Sequence, residues 1–290
     1  MTLKSLGENQ YEGLEEIVAI ARTVGWGAAD ILQSYYRGDK SVGNLEIQNK
    51  KDGPVTAADV AVNQYILHNL QASLGTQDFG YLSEETYKSQ TPIPTQPWVW
   101  IIDPLDGTRD FIDRTGEYAV HIALTNAGRP VAAVVVVPEA GKLYYATIGG
   151  GTFVETRDGE VKPIRVSEHN KIEDLTVVAS RTHRDDRFDR LLQNLPFKNK
   201  HYVGSVGCKI ATIIEQTADV YISLSGKSAP KDWDMAAPEL ILTEAGGKFT
   251  HVDGNPLKYN TGDVSQWGCL IASNGNCHEE ICQQASEILA

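Results

Sequence analysis

Asp103-Pro104-Leu105-Asp106-Gly107-Thr108 places two carboxylates three residues apart, ahead of a Gly-Thr that can turn a backbone toward an anion. The run follows Trp98-Val99-Trp100-Ile101-Ile102, an apolar stretch that reads as a buried strand. An α/β sheet puts its chemistry outside the carboxyl ends of its strands. Hard oxygen donors in that position suit Mg2+ or Mn2+. The bland alternative is a turn in which an Asp caps the short helix Thr108 to Ile112. Two carboxylates around Pro-Leu at the end of a buried strand are costly without cations, which favours the metal reading. Gly107 and Thr108 then offer backbone N–H groups at a helix start, a ready anion site. The spacing also bears on mechanism. D-x-D-x-T would signal an aspartyl nucleophile, whereas D-x-x-D does not support a covalent aspartyl-phosphate.

Three more acidic pieces accompany it. Glu84-Glu85 follows a strand-like Tyr81-Leu82; alone, such a pair reads as solvated surface. Thr56-Ala57-Ala58-Asp59 has the form of a capping box at a helix start, although an Asp in a first turn can also face a metal cluster. Lys231-Asp232-Trp233-Asp234-Met235-Ala236-Ala237-Pro238 puts Asp234 near a helix N-terminus, where an N-cap is the ordinary role. Ala236 and Ala237 would let that helix approach a ligand closely, and Trp233 reads as core.

The elements that must position these groups follow from periodicity. Leu14, Ile17, Val18, Ala21, Val24, Ala28, Ile31, Leu32 and Tyr35 predict a long amphipathic helix. A polar, Gly-containing connection is expected from Arg37 to Pro54, then a second helix from about Thr56 and a short strand at Gly80 to Ser83. The middle reads as antiparallel sheet: Val120 to Leu124, Val131 to Val137, Lys142 to Ile148 and Thr152 to Glu155. From about Ile172 strands and helices alternate, ending in a helix at His278 to Leu289. Two layered sub-domains are expected: 1–160, α+β with most metal ligands, and 161–290, α/β with Asp234 and the specificity residues.

Bulk properties narrow the partners. The 290 residues carry a net charge of -12. That disfavours nucleic acid or an anionic membrane surface. An acidic chain can still bind an anionic substrate where metals and a few Lys or Arg reverse the local potential. No run approaches the roughly 20 apolar residues of a membrane span. Met1 to Glu8 lacks the apolar core of a signal peptide, so the cytoplasm is the expected location. Cys208, Cys269, Cys277 and Cys282 form no C-x-x-C pair and are expected to be reduced thiols. A monomer or homodimer is expected.

Taken in order, T-x-x-D, E-E, D-P-L-D-G-T and W-D-x-A-A-P, followed by Ala245-Gly246-Gly247, resemble the inositol monophosphatase-like family of metal-dependent, lithium-sensitive phosphatases. The likeness covers nearly the whole chain. It implies a layered αβαβα sugar-phosphatase-like fold. Glu84, Asp103 and the Leu105 carbonyl would hold one Mg2+, and Asp103, Asp106 and Asp234 a second. A third, weaker ion would sit near Glu84, largely through water, and Mn2+ would be a possible substitute. Asp59 and Thr108 would orient and deprotonate the attacking water, with Glu84 also at the catalytic centre. The Gly107 and Thr108 amides would cradle the phosphate.

Substrate choice rests on other residues. Inositol monophosphatases place a Glu between the preceding strand and W-D, but Val220 to Lys231 contains no acid and carries Lys227 and Lys231. That favours a second anionic group on the substrate. Ser180-Arg181-Thr182-His183, Gly204-Ser205 with Lys209, and Lys231 before Trp233-Asp234 resemble the 3'(2'),5'-bisphosphate nucleotidases. The likeness implies that Ser180, His183, Ser205, Lys209 and Lys231 contact a nucleotide. The reaction would convert adenosine 3',5'-bisphosphate to AMP and phosphate within sulfate assimilation, and the sulfated precursor would be a second substrate. The plain reading of His183 and Lys209 is a loop His and a solvated helix Lys. One departure matters: Ser223 stands where many bacterial members carry Arg, which keeps an inositol (poly)phosphate or sugar phosphate open. A non-catalytic nucleotide-binding regulator is disfavoured, because every motif carboxylate and Thr108 is present.

Overall fold

The computed structural model describes residues 13–39, 43, 45–50, 53–75, 78–87, 92–181 and 185–290. Helix α1 (Leu14–Arg37) buries the expected stripe of Leu14, Ile17, Val18, Ala21, Val24, Ala28 and Leu32. An antiparallel hairpin follows, β1 (Ile47–Lys50) with β2 (Gly53–Thr56), leading into α2 (Ala57–Leu74). The hairpin corrects the loop expected from Arg37 to Pro54. Ile-Gln-Asn-Lys and Gly-Pro-Val-Thr have no apolar alternation, so nothing in their pattern signals a strand.

A seven-stranded sheet comes next. Its strands are β3 (Gly80–Ser83), β4 (Trp98–Asp106), β5 (Ala119–Asn126), β6 (Arg129–Val137), β7 (Lys142–Thr147), β8 (Gly151–Thr156) and β9 (Val161–Ile164), neighbours in that order. Only β3 and β4 run parallel. Between β4 and β5 lies α3 (Thr108–Ile112). Strand β9 was not expected; it is an edge strand bearing Pro163, the place where a sheet tolerates proline. The second sheet has five strands: β10 (Thr176–Ala179), β11 (Asn199–Tyr202), β12 (Val220–Leu224), β13 (Lys248–His251) and β14 (Cys269–Ser273), in the order β11-β10-β12-β14-β13. Strands β10, β11 and β12 are parallel, and β14 opposes β12. Helices α4 (Asp186–Asn194), α5 (Val206–Ile214), α6 (Asp232–Glu244) and α7 (His278–Leu289) connect or follow them.

The cores define the layers. Even positions of β4 and β5 (Trp100, Ile102, Val120, Ile122) pack on α1 and α2. The opposite face (Val99, Ile101, Ala119, Ala123) packs on α5 and α6, which in turn cover Val178, Tyr221 and Phe249 of the second sheet. The outer face of that sheet, including Val177, Val220 and Ile271, is closed by α4 and α7 through Phe188, Leu191 and Ile281. The stack is therefore αβαβα, as the family resemblance implied. All four cysteines are buried and unpaired.

One buried group makes a stability prediction. The His278 ring at the start of α7 contacts the Ser273 hydroxyl through Nδ1 at 2.8 Å and the Thr250 hydroxyl through Nε2 at 2.8 Å. Burial, then the charge of Lys248, pushes its pKa from 6.5 down to about 4. Below pH 6.5 the unfolded chain takes up a proton that the folded ring refuses. Stability should therefore fall as pH drops from 6.5 toward 4. Discounted for partial solvent access, the loss should be about 2 kcal/mol larger in the parent chain than in His278→Gln. Urea unfolding of both proteins at neutral and acid pH measures it; equal pH dependence would remove His278 as the cause.

Candidate active site

Asp103 and Asp106 share a face of β4 for a reason that spacing alone does not supply. Residues three apart in a regular strand point to opposite faces. Asp103 lies opposite His121 and Asp106 opposite Ala119, so three steps on β4 match two on β5. The extra residue at Pro104–Leu105 is a bulge that re-aims the second carboxylate. Gly107 then turns the chain into α3 at a φ of 90°, and Thr108 begins that helix.

Three other segments arrive at this end of β4. Glu84 follows β3, with its N–H donating to the Ile102 carbonyl at 3.2 Å. Asp59 lies in the first turn of α2. Its Oδ2 accepts from Thr56 N at 2.7 Å and from Thr56 Oγ1 at 2.6 Å, while Thr108 Oγ1 donates to its Oδ1 at 3.2 Å. The capping box and the expected catalytic position are thus the same side chain, one oxygen bonded to Thr56 and the other to Thr108. Asp234 is the third residue of α6 rather than its N-cap, and its Oδ2 accepts from Lys231 N at 2.6 Å.

The carboxylates repel one another strongly. Burial, then the charges of Asp234 and Glu85, raises Glu84 to about 8. Burial, then Glu84 and Asp106, holds Asp103 well above the usual carboxylate range. Burial and Asp106 raise Asp234 to about 6. Asp59 is likewise raised to about 6, chiefly by burial. Asp106 goes the other way: burial pushes it up, but His121, Lys209 and the Gly207 N–H together hold it below the ordinary value.

This donor set fits a divalent cation. It is all hard oxygen. One oxygen of each candidate carboxylate on β4 and α6 is fixed by a backbone amide: Asp103 Oδ1 by Leu105 N at 3.0 Å, Asp106 Oδ2 by Gly207 N at 2.8 Å, and Asp234 Oδ2 by Lys231 N. The partner oxygens are thereby oriented, as supported ligands require. Among the described residues no three His, Cys, Asp or Glu side chains are already arranged as a metal centre. What they form is a buried, mutually repelling carboxylate cluster, which added positive charge would relieve.

The expected substrate contacts are placed differently. Ser180 is half-buried at the end of β10. Ser205 caps α5, accepting from Cys208 N at 2.9 Å. Lys209 is buried rather than solvated, and its ammonium donates to the carbonyls of Gly204 and, at 3.1 Å, of Ser205. Lys231 Nζ donates to Ser265 Oγ at 2.9 Å. His183 lies outside the described residues.

Sequence reasoning missed the joint between the two sheets. Buried His121 contacts Asp106 Oδ2 at 3.2 Å and the Trp233 carbonyl at 3.3 Å. Glu117 accepts from Arg181 at 2.6 Å and from Gly204 N at 2.6 Å, and Arg181 also pairs with Asp110 at 3.0 Å. Of these, Arg181 and Gly204 carried a signal, as parts of the Ser180-Arg181-Thr182-His183 and Gly204-Ser205 strings.

Fold and site together define a metal-dependent phosphatase. The chain belongs to the inositol monophosphatase family, whose description matches residues 13–290. Among curated relatives, it is 35% identical over 249 residues to the 3'(2'),5'-bisphosphate nucleotidase CysQ of Salmonella typhimurium, covering 85% of this chain and 93% of that protein. The CysQ of Escherichia coli strain K12 is 32% identical over the same shares. Among solved structures, the extragenic suppressor protein suhB of Bartonella henselae superimposes with a TM-score of 0.78 at 25% identity, covering 94% of this chain and 99% of that one. The CysQ of Bacteroides thetaiotaomicron superimposes with a TM-score of 0.74 at 26% identity, covering 89% and 97%.

Proposed function

We propose that this chain is a Mg2+-dependent 3'(2'),5'-bisphosphate nucleotidase that hydrolyses the 3'-phosphate of adenosine 3',5'-bisphosphate to AMP and phosphate, and that also accepts the sulfated precursor. The observation that carries the substrate is the loop between β12 and α6. It has no acid to grip inositol hydroxyls, it carries Lys227 and Lys231, and the Lys231 N–H donates to Asp234. Relatives at 31–35% identity that bear the nucleotidase name support the same reading. The reaction belongs to sulfate assimilation in the cytoplasm and is inhibited by lithium. No described helix is long and apolar enough to cross a membrane.

Glu84, Asp103, the Leu105 carbonyl, Asp106 and Asp234 would hold two or three cations, Mg2+ or, in substitution, Mn2+. Bound there, they supply the charge that lowers the pKa of water and draws the phosphoryl and leaving oxygens into place. The chain does the rest. Thr108 Oγ1 accepts a proton from the attacking water and passes its own to Asp59 Oδ1, 3.2 Å away. Thr56 holds the other Asp59 oxygen, so the carboxylate is aimed before substrate arrives. The Gly107 and Thr108 amides face the phosphate, and water attacks it directly, with no phospho-enzyme.

Phosphate release from adenosine 3',5'-bisphosphate, inositol 1-phosphate and fructose 1,6-bisphosphate, with and without Mg2+ and Li+, tests the reading. The nucleotide should lead in kcat/KM by tenfold or more, about 1.4 kcal/mol of transition-state discrimination. A tenfold preference for inositol 1-phosphate would reject it. Ser223, in place of an Arg, is the residue that gives this second outcome its weight.

A further inference from the structure

The carboxyl ends of parallel β10, β11 and β12 open on one edge of the second sheet, and the start of antiparallel β14 meets the same edge. The segment 264–268 leads into β14. Its Val264 carbonyl accepts from Asp232 N at 2.8 Å, and Ser265 pairs with Lys231. Gly268 N donates to Ser225 Oγ at 2.7 Å, and its carbonyl accepts from Ser225 N at 2.9 Å. Trp267 therefore stands between the first turn of α6, which holds Asp234, and the end of β12.

Trp267 is 49% exposed, the largest apolar side chain among the described residues to be so open. Its indole N–H donates to Asp263 Oδ2 at 3.2 Å, which restrains the ring. Three other partly exposed rings lie under a guanidinium: Arg157 is 4.3 Å over Trp26, Arg22 4.2 Å over Tyr145, and Arg114 4.8 Å over Tyr36. Among the described residues no cation or ring covers Trp267. Lys231 and exposed Lys227 flank the same loop.

We infer that Trp267 is the stacking platform for the aromatic base of the substrate, with the neighbouring lysines taking the phosphate that is not cleaved. This deepens the nucleotidase reading and rests on it. An indole face suits the flat π-system of a nucleobase, and such stacking tolerates any base. Ligands bind in the crevice outside the carboxyl ends of parallel strands, and the segment that carries Trp267 meets that edge beside the end of β12.

The test compares AMP with ribose 5-phosphate, which keeps the phosphate and sugar but lacks the base. Calorimetric titration in Mg2+ measures both against the parent chain, Trp267→Ala and Trp267→Phe. Trp267→Ala should weaken AMP roughly tenfold, about 1.4 kcal/mol, and leave ribose 5-phosphate within about twofold. Trp267→Phe should recover most of the AMP affinity, because the face returns without the N–H. Equal AMP affinity in the parent and Trp267→Ala, or equal losses for both ligands, would overturn the assignment. The substrate panel reads the nucleotidase assignment separately. A parent chain that hydrolyses the nucleotide while Trp267→Ala binds AMP unchanged would sink the platform alone.

Discussion

Asp103→Asn is expected to slow phosphate release by about a thousandfold or more while leaving the chain folded, and in the absence of divalent cations more heat-stable than the parent. The two effects share one cause. Asp103 is 1% exposed and faces Glu84, Asp106 and Asp234, so its charge is opposed on every side until cations arrive. An amide removes that repulsion and keeps the same shape. It also keeps the local turn, since an Asn Oδ1 can still accept from Leu105 N. What is lost is one negative charge shared by both proposed cation sites. Mg2+ should therefore raise the melting temperature of the parent more than that of the variant, because a ligand that binds only the folded state stabilises it in proportion to its affinity. Phosphate release and thermal melts with and without Mg2+ check both parts. Activity within tenfold of the parent would remove Asp103 from the metal site.

Gly107→Ala should destabilise the fold by about 3 kcal/mol and abolish activity in whatever protein remains folded. Its φ of 90° already disfavours a side chain. A methyl group there would also meet the Glu117 carbonyl at 2.9 Å and Ser205 Cβ at 2.9 Å. Neither can yield easily, because the Glu117 carbonyl accepts from Ser205 N at 3.3 Å across the joint between the sheets. The clash would pry apart Thr108 and the start of α5. Gly159→Ala separates the two contributions: its φ is 85°, but nothing lies within 4 Å of the new methyl. That variant should lose only the conformational part, about 1 kcal/mol. Urea unfolding of the pair measures the difference; similar losses would mean that no clash occurs at Gly107.

Much of this architecture is written locally. The helix at Leu14–Arg37 follows from one apolar stripe, and β4 to β7 from long apolar runs broken by turns. The hairpin before α2 and the edge strand β9 left no such pattern, because neither carries alternating apolar residues in its sequence. Ser205 and Lys209 were expected to face substrate. Their positions in the chain are right for the open edge of the sheet, but the start of α5 occupies the hydroxyl as a cap and the ammonium on two carbonyls. Side-chain direction depends on what a group can bond after packing, which spacing does not report.

By itself the sequence determined the chemical inventory: which carboxylates exist, their order, the Gly-Thr turn beside them, and the lysines of the β12–α6 loop. Those are properties of neighbouring residues, and short-range spacing carries them. Only the tertiary structure decided how they meet. A one-residue bulge put Asp103 and Asp106 on one face, and cross-strand register set His121 against Asp106. Packing of the two sheets brought Glu117 to Arg181 and Gly204, and the segment leading into β14 brought Ser265 to Lys231. Each of these contacts joins residues far apart in sequence. Their geometry comes from the burial that closes the layers, not from any local preference of the chain.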